Sequence, residues 1–309
     1  MSDLVRFHDN DSALVRALRL RAGLLARTRA FFADRGFVEV ETPIVCSSPG
    51  VETHLAALET RAAGRTMYLT TSPEFHMKRL VAVGMDRIFQ VTRAFRGGEV
   101  GDRHNPEFAM VEWYRVGVDY RAIMDDCEAL LRHLAEGLAL ADLTRPGPYP
   151  RTTFDDAFGR AGLPEWRSLD FDDRILALAE KVEPLLAREG PEFLIDYPVD
   201  QASLAQLRPT PDAQSVAERF ELYARGLELA NGFTEVTDAD EYIRRCDADL
   251  AERDRLGLPR YPVDERYVSM LRDGIPPCAG VALGFDRVVM LLAGTTRIRD
   301  VMAFPIDLA

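Results

Sequence analysis

Hydrophobic positions along the chain first recur with a helical period. Leu14, Leu18, Leu25 and Phe32 fall on one stripe, Asp11 and Ser12 precede it as capping residues, and Gly36 closes it, which predicts a first helix. Alternation then takes over. FVEVETP (37–43) reads as a strand stopped by Pro43, MYLTTSPEF (67–75) as a strand followed by a turn, and RIFQVTRAFR (87–96) as another strand. Residues 120–142 return to the helical period, with Ile123, Cys127, Leu130, Leu134 and Leu138 on one face. TRPGPYPRT (144–152) holds three prolines and reads as a linker into a region, about 144–215, that is mostly helical and peripheral. Strand patterning resumes at Phe220, and GVALGFDRVVMLLAG (280–294) reads as strand, turn, helix. Strands early and late with helices inserted between them predict an α+β domain around an antiparallel sheet.

Two stretches interrupt the patterning with chemistry. FRGGEVGDRHNPEFAMVEWYR (95–115) joins two strand-like runs through a polar turn, an antiparallel hairpin with a long loop. In its second strand Phe108, Met110, Glu112 and Tyr114 share a face. Glu112 there is either one residue of a partly solvated face, as burial preferences favour for an isolated glutamate, or part of a pocket wall that recognises a cation. Arg96, ending the first strand, is either a solvated rim charge or a fork for phosphate or carboxylate. In FELYARGLELANGFTE (220–235), a turn centred on Ala224 and Arg225 sets Glu221 opposite Glu228, a pair whose repulsion a bridging magnesium ion relieves. A different register leaves both glutamates solvated. Asn231, Phe233 and Glu235 share a strand face, and a bulge at Asn231-Gly232 brings that face round to Glu228.

Composition narrows the classes. The chain has 309 residues, 47% hydrophobic and 28% charged, an ordinary globular balance. No basic segment followed by an apolar stretch opens it, so no signal peptide is expected, and no apolar run reaches membrane-spanning length. Cys46, Cys127, Cys246 and Cys278 lack metal-ligand spacing and read as reduced thiols of a cytoplasmic protein. A net charge of −12 argues against nucleic acid held by a broad basic face. Neither GxxxxGK[ST] nor GxGxxG follows a strand, so any ATP is held by side chains on a sheet.

Five segments carry a resemblance. FFADRGFVEVETP, FRGGEVGDRHNPEFAMVEWY and GVALGFDRVVML resemble motifs 1, 2 and 3 of the class II aminoacyl-tRNA synthetases; TSPEFHMKRL and ELANGFTEVTD are similar to the lysyl branch. About a dozen residues precede the first helix, so no N-terminal OB-type anticodon-binding barrel is expected. Gly280-Val281-Ala282-Leu283-Gly284 stands where the synthetases read Gly-Leu-Gly-Ile-Gly. Both features resemble the shortened synthetase paralogues that modify elongation factor P with (R)-β-lysine.

The resemblance implies an antiparallel sheet flanked by helices, a homodimer formed through motif 1, and ATP bent on the sheet with Mg2+. It implies adenylate formation, then transfer to a lysine of elongation factor P; charging of tRNA by a minimal lysyl-tRNA synthetase, or a non-catalytic amino-acid-binding paralogue, are the alternatives. Arg96 and Arg287 become the catalytic pair, on the α-phosphate with the substrate carboxylate and on the γ-phosphate side. Ser72, Pro73, Glu74, Glu112, Tyr114, Asn231, Phe233, Glu235 and Ala282 line the amino acid. Gly98, Glu99, His104, Asn105, Phe108, Glu228, Leu229 and Gly284 join the arginines around ATP, and Glu221 with Glu228 holds the metal. The mechanism needs no general base at His76 or His104. One departure stands out: the family reads Arg-Asn-Glu in motif 2, whereas here Gly98 occupies the carboxylate position and the acid follows at Glu99. Either Glu99 swings in, or backbone groups alone read adenine.

Overall fold

The computed structural model describes residues 12–211 and 214–309, and the chain divides into two compact units. The first comprises Met1–Gly117, Val236–Pro277 and Ala282–Ala309; the second comprises Val118–Glu235 and Cys278–Val281.

In the first unit the opening helix is Ala13–Ala33, capped by Ser12, whose side chain accepts from the Val15 N–H at 3.3 Å; Asp11 lies outside the described residues. The buried face is rotated from the expected stripe. Ala17, Leu24, Thr28, Phe31 and Phe32 are buried, while Leu14, Leu18 and Leu25 stay half-buried. Phe32, on the expected stripe, is buried, stacking on Phe89 at 4.5 Å and tilting against Trp113 at 5.1 Å. Those two rings sit on the hairpin of Arg87–Phe95 and Glu107–Val116, antiparallel in unbroken register from Arg87↔Arg115 to Phe95↔Glu107. The expected strand at 37–43 is only Val38–Glu39, and it pairs with Arg87–Phe95 in parallel. Three strands, Val45–Cys46, Glu59–Ala62 and Arg65–Leu69, form a separate small sheet.

One buried contact in this unit carries much of its integrity. Asp286, in the first turn of the helix Phe285–Ala293, is 2% exposed. One of its oxygens accepts the Ala109 N–H of the hairpin at 2.6 Å, and the other pairs with Arg21 of the first helix. Asp286→Ala leaves a guanidinium and an N–H without acceptors, and a loss of about 3 kcal/mol is expected. A thermal or urea transition that moves by less than about 1 kcal/mol would exclude this role.

The second unit has a sheet built from Glu192–Pro198, Ser215–Ala224 and Leu227–Thr234, all antiparallel neighbours, with Arg151–Thr153 joining Glu192–Pro198 in parallel. The region after the prolines carries the expected short helices, Phe154–Arg160 and Phe171–Ala177 among them, together with strands. It contributes three strands to this sheet (Leu207–Pro209 is the third), and the unit starts at Val118, before the prolines. Alternating prolines masked the Arg151–Thr153 strand, which is too short to show a period. The helix Tyr120–Ala135 buries Ile123, Cys127, Leu130 and Leu134 as expected, but it stops before Leu138, with Gly137 at φ 79°. Phe154, Phe158, Trp166 and Tyr197 cluster beneath the sheet.

The strand Cys278–Gly284 is shared, its first four residues in the second unit and its last three in the first. All four cysteines are buried free thiols, and no described helix is long and apolar enough to cross a membrane.

Candidate active site

In the first unit, residues of two sequence segments that were expected to line the substrate converge. Thr70 donates to the Ser72 carbonyl at 2.6 Å, tightening the turn before Pro73, which caps the helix Glu74–Ala82. The Ser72 hydroxyl donates to Glu112 Oε2 at 2.7 Å, and the Tyr114 hydroxyl donates to Oε1 at 2.7 Å. Glu112 is 1% exposed, so the partly solvated face is ruled out. Burial, and next the Glu74 carboxylate, push its pKa up to about 7 against the pull of the two hydroxyls and Lys78. Glu74 meanwhile pairs with Lys78, a wholly buried cation on the same helix, at 2.5 Å. Sequence patterning did not single out Lys78, although its i, i+4 spacing from Glu74 was there to read.

This pocket titrates where it matters. Below pH 7 Glu112 keeps its proton; above it, its carboxylate charge is present. With the substrate role that the resemblance implies for Glu112, the amino-acid KM is expected to fall about tenfold between pH 6 and pH 8. Glu112→Gln should flatten that profile, and an unchanged inflection in the variant would assign it to another group.

The turn of the hairpin, residues 96–106, gathers cations. Arg96 lies over the Phe108 ring at 5.2 Å, with Nη1 only loosely placed 3.9 Å from Glu99. Its Nε is buried and has no hydrogen-bond partner among the described residues, the signature of a donor arranged for an anion. Arg287, in the first turn of Phe285–Ala293, lies 2.7 Å from His104 Nε2. Burial, followed by the Arg287 charge, holds His104 below its usual pKa, so the neutral ring accepts from the guanidinium. Gly284 is the N-cap of that helix. His76 is likewise held neutral by burial and then Arg79.

Gly98 has φ 80°, a left-handed conformation that disfavours any residue with a Cβ, which gives a backbone reason why the acid stands one place later. Asn105, expected to contact the nucleotide, spends both ends of its side chain on the fold. Its Nδ2 donates to the Glu107 carbonyl at 2.6 Å and its Oδ1 accepts the Ile306 N–H at 2.9 Å. A residue 5% exposed and so engaged is a brace for the turn.

In the second unit the two metal-candidate glutamates lie on one sheet face, but not opposite each other. The turn is Arg225-Gly226, both with positive φ, so Ala224 pairs with Leu227 and Tyr223 with Glu228. A bulge leaves Leu229 unpaired, after which Leu222 meets Ala230 and Glu221 meets Asn231. The bulge that the face alternation demanded thus exists two residues earlier than expected, and it brings Glu228 onto the face of Asn231 and Phe233. Leu229 itself is 1% exposed, so its backbone, not its side chain, is what a ligand could meet. Gly232 serves close packing instead: a Cβ there would come within 2.7 Å of the Gly280 carbonyl and of Val281.

Glu221 also has a cation already. Arg219 Nη2 donates to it at 2.5 Å, and Tyr223 donates to its other oxygen at 2.5 Å. Arg219, one alternation back on the same strand, was missed because a lone arginine in a strand has no distinctive spacing. Among the described residues, no group of three or more His, Cys, Asp or Glu side chains is placed to hold a metal ion. The donors available are oxygens, and Asn231 Oδ1 is buried without a partner. This fits magnesium, which takes one or two carboxylates and draws its remaining ligands from phosphates and water. Glu235, 1% exposed, follows the same strand.

Comparison with known proteins gives a consistent picture. A family model described as tRNA synthetases class II (D, K and N) matches residues 6–308. The chain is 40% identical to an elongation factor P–(R)-β-lysine ligase of Yersinia enterocolitica, over 96% of this chain and 97% of that protein. Proteins of the same name from Yersinia pestis and Yersinia pseudotuberculosis are 41% identical over the same shares.

Proposed function

This chain belongs to the class II tRNA synthetases (D, K and N), and from that premise we propose that it is an ATP-dependent ligase for elongation factor P. It activates (R)-β-lysine, or lysine, as an acyl-adenylate and transfers it to the ε-amine of a lysine on that acceptor. The observation that carries the reading is full-length similarity to ligases of that name. It is supported by an acid set, buried Glu112 beside half-buried Glu74, suited to a substrate with two ammonium groups.

The chemistry follows from the side chains. The substrate carboxylate attacks the α-phosphorus in line, the α–β P–O bond breaks, and pyrophosphate leaves with the electron pair. Arg96, with its unpartnered Nε, neutralises charge where the two anions meet. Arg287 and His104 hold the far phosphates, beside the N-terminal end of Phe285–Ala293. Glu221 and Glu228, with Asn231, would hold Mg2+, which supplies charge neutralisation for the phosphates when bound. The acceptor amine then attacks the acyl carbon, and AMP departs with the electrons of the broken C–O bond.

Phe233 supplies an apolar wall and Glu235 a further acid. Ala282 carries a methyl group where glycine would leave space, which disfavours an α-amino group and leaves room for a β-amino group. Leu18 and Leu25, half-buried, and Val38, Ile44 and Val45, exposed, lie on the first helix and the segment after it, and a second copy of the chain covers them in a homodimer.

The test is a competition between acceptors. The full chain, ATP, Mg2+ and labelled (R)-β-lysine or lysine are incubated with elongation factor P and tRNA together. Label on the protein is the expected result; label on tRNA alone would instead establish a minimal lysyl-tRNA synthetase.

A further inference from the structure

The most unusual charge outside the site is Arg253, in the last turn of the helix Ala239–Arg255. It is 1% exposed, and among the described residues no carboxylate pairs with it. Its Nε donates to the Pro259 carbonyl at 2.7 Å, and its Nη1 to the carbonyls of Glu52, Thr53 and Leu55 at 2.8, 2.9 and 3.1 Å. Its guanidinium lies over the Tyr261 ring, 4.3 Å from the centroid. Burying a guanidinium with only carbonyl dipoles and a ring for company is costly. The expense calls for a structural purpose.

What it holds is a segment without regular structure. Residues 47–58 form neither helix nor strand, so their carbonyls have no ladder to satisfy them. Only a rigid, five-donor fork can tie carbonyls from both Pro259 and the 52–55 stretch at once. Asp249 assists from the same helix, accepting from the Thr53 N–H at 3.1 Å and from its hydroxyl at 2.6 Å. The Tyr261 hydroxyl accepts the Ala57 N–H at 2.9 Å.

The fastened segment then grips the turn of the hairpin. The Gly97 N–H donates to the Ala56 carbonyl at 2.7 Å, immediately after Arg96. A Cβ at Gly97 would stand 3.2 Å from Leu58 and 3.4 Å from the Ala56 oxygen, so the two strips of backbone are already in close contact. Arg96 itself is fixed on the other side by its N–H to the Pro106 carbonyl at 2.9 Å.

We propose that Arg253 is a positioning residue for the activation step: through residues 52–58 it seats Gly97 and so sets where the Arg96 guanidinium stands. It touches neither substrate. The inference rests on the function proposed above, and it goes beyond it by naming a control on Arg96 that lies outside the synthetase motifs.

Two variants of the full chain test it, assayed by amino-acid-dependent ATP–pyrophosphate exchange, with thermal unfolding measured alongside. Arg253→Met is expected to lower kcat about fiftyfold, in line with the cost of an ångström-scale misplacement, with the amino-acid KM within about twofold. Tyr261→Phe keeps the ring under Arg253 and removes only the acceptor for Ala57; a kcat loss of about fivefold with an unchanged thermal transition is expected. A kcat equal to wild type in folded Tyr261→Phe and Arg253→Met would overturn the inference. So would losses in kcat and amino-acid KM that merely track the folded fraction. Wild-type chain without exchange would sink the function reading itself, and this inference with it; active wild type with unaffected variants sinks this inference alone.

Discussion

Arg96→Ala is expected to lower kcat for amino-acid-dependent ATP–pyrophosphate exchange about a thousandfold, with a much smaller change in the amino-acid KM. The reason is geometric. Arg96 keeps a buried Nε with no partner among the described residues, and its Nη1 stands 3.9 Å from Glu99, too far for a hydrogen bond. Its donors are therefore least satisfied before the two anions meet and best satisfied as they do, which is the condition for lowering a barrier rather than tightening ground-state binding. Arg96→Lys retains the charge but loses the fork, and a loss of about a hundredfold is expected. Equal losses in both variants would mean that the fork matters and charge alone does nothing. Full activity in Arg96→Lys would reduce the residue to a point charge and contradict the orphaned Nε as its working donor.

Glu228→Gln is the second large effect. Glu228 faces Tyr223 and shares its sheet face with Glu221 and Asn231, so it offers a hard oxygen charge to the proposed metal. Exchange activity is expected to fall about a hundredfold, with the magnesium concentration for half-maximal rate rising about tenfold. Glu221→Gln should be milder, because Arg219 and Tyr223 already share that carboxylate. A rate loss in Glu228→Gln at unchanged magnesium dependence would take the metal away from this face.

How much of this was legible in the sequence differs by scale. The hairpin from Arg87 to Val116 was readable because alternation ran unbroken through both strands and the polar turn separated them. The resemblance put Ser72, Glu112 and Tyr114 around one substrate, but neither their hydrogen bonds to one another nor the near-neutral pKa of Glu112 followed from it, since that pKa depends on complete burial and on Glu74 close by. Register was the weakest reading. A two-residue Arg-Gly turn and one extra residue at Leu229 moved Glu221 from Glu228 to Asn231, and neither shift leaves a periodic trace. The first helix kept its limits and buried Phe32 as expected, against Phe89 and Trp113, while the rest of its buried face turned to Ala17, Leu24, Thr28 and Phe31. Isolated charges with long-range partners, Asp286 with Arg21 and Ala109 or Arg253 with Glu52 to Leu55, carry no local pattern at all.

Ammonium recognition and carboxylate activation stand or fall together, and one assay reads both. Wild-type chain with ATP and Mg2+ is offered (R)-β-lysine, lysine, and an analogue of each in which the side-chain ammonium is replaced by a methyl group. Pyrophosphate exchange should require the full dication, and the neutral-tailed analogues should stay at background. Comparable exchange with an uncharged tail, or none with either diamine, would contradict an acid-lined pocket working beside Arg96.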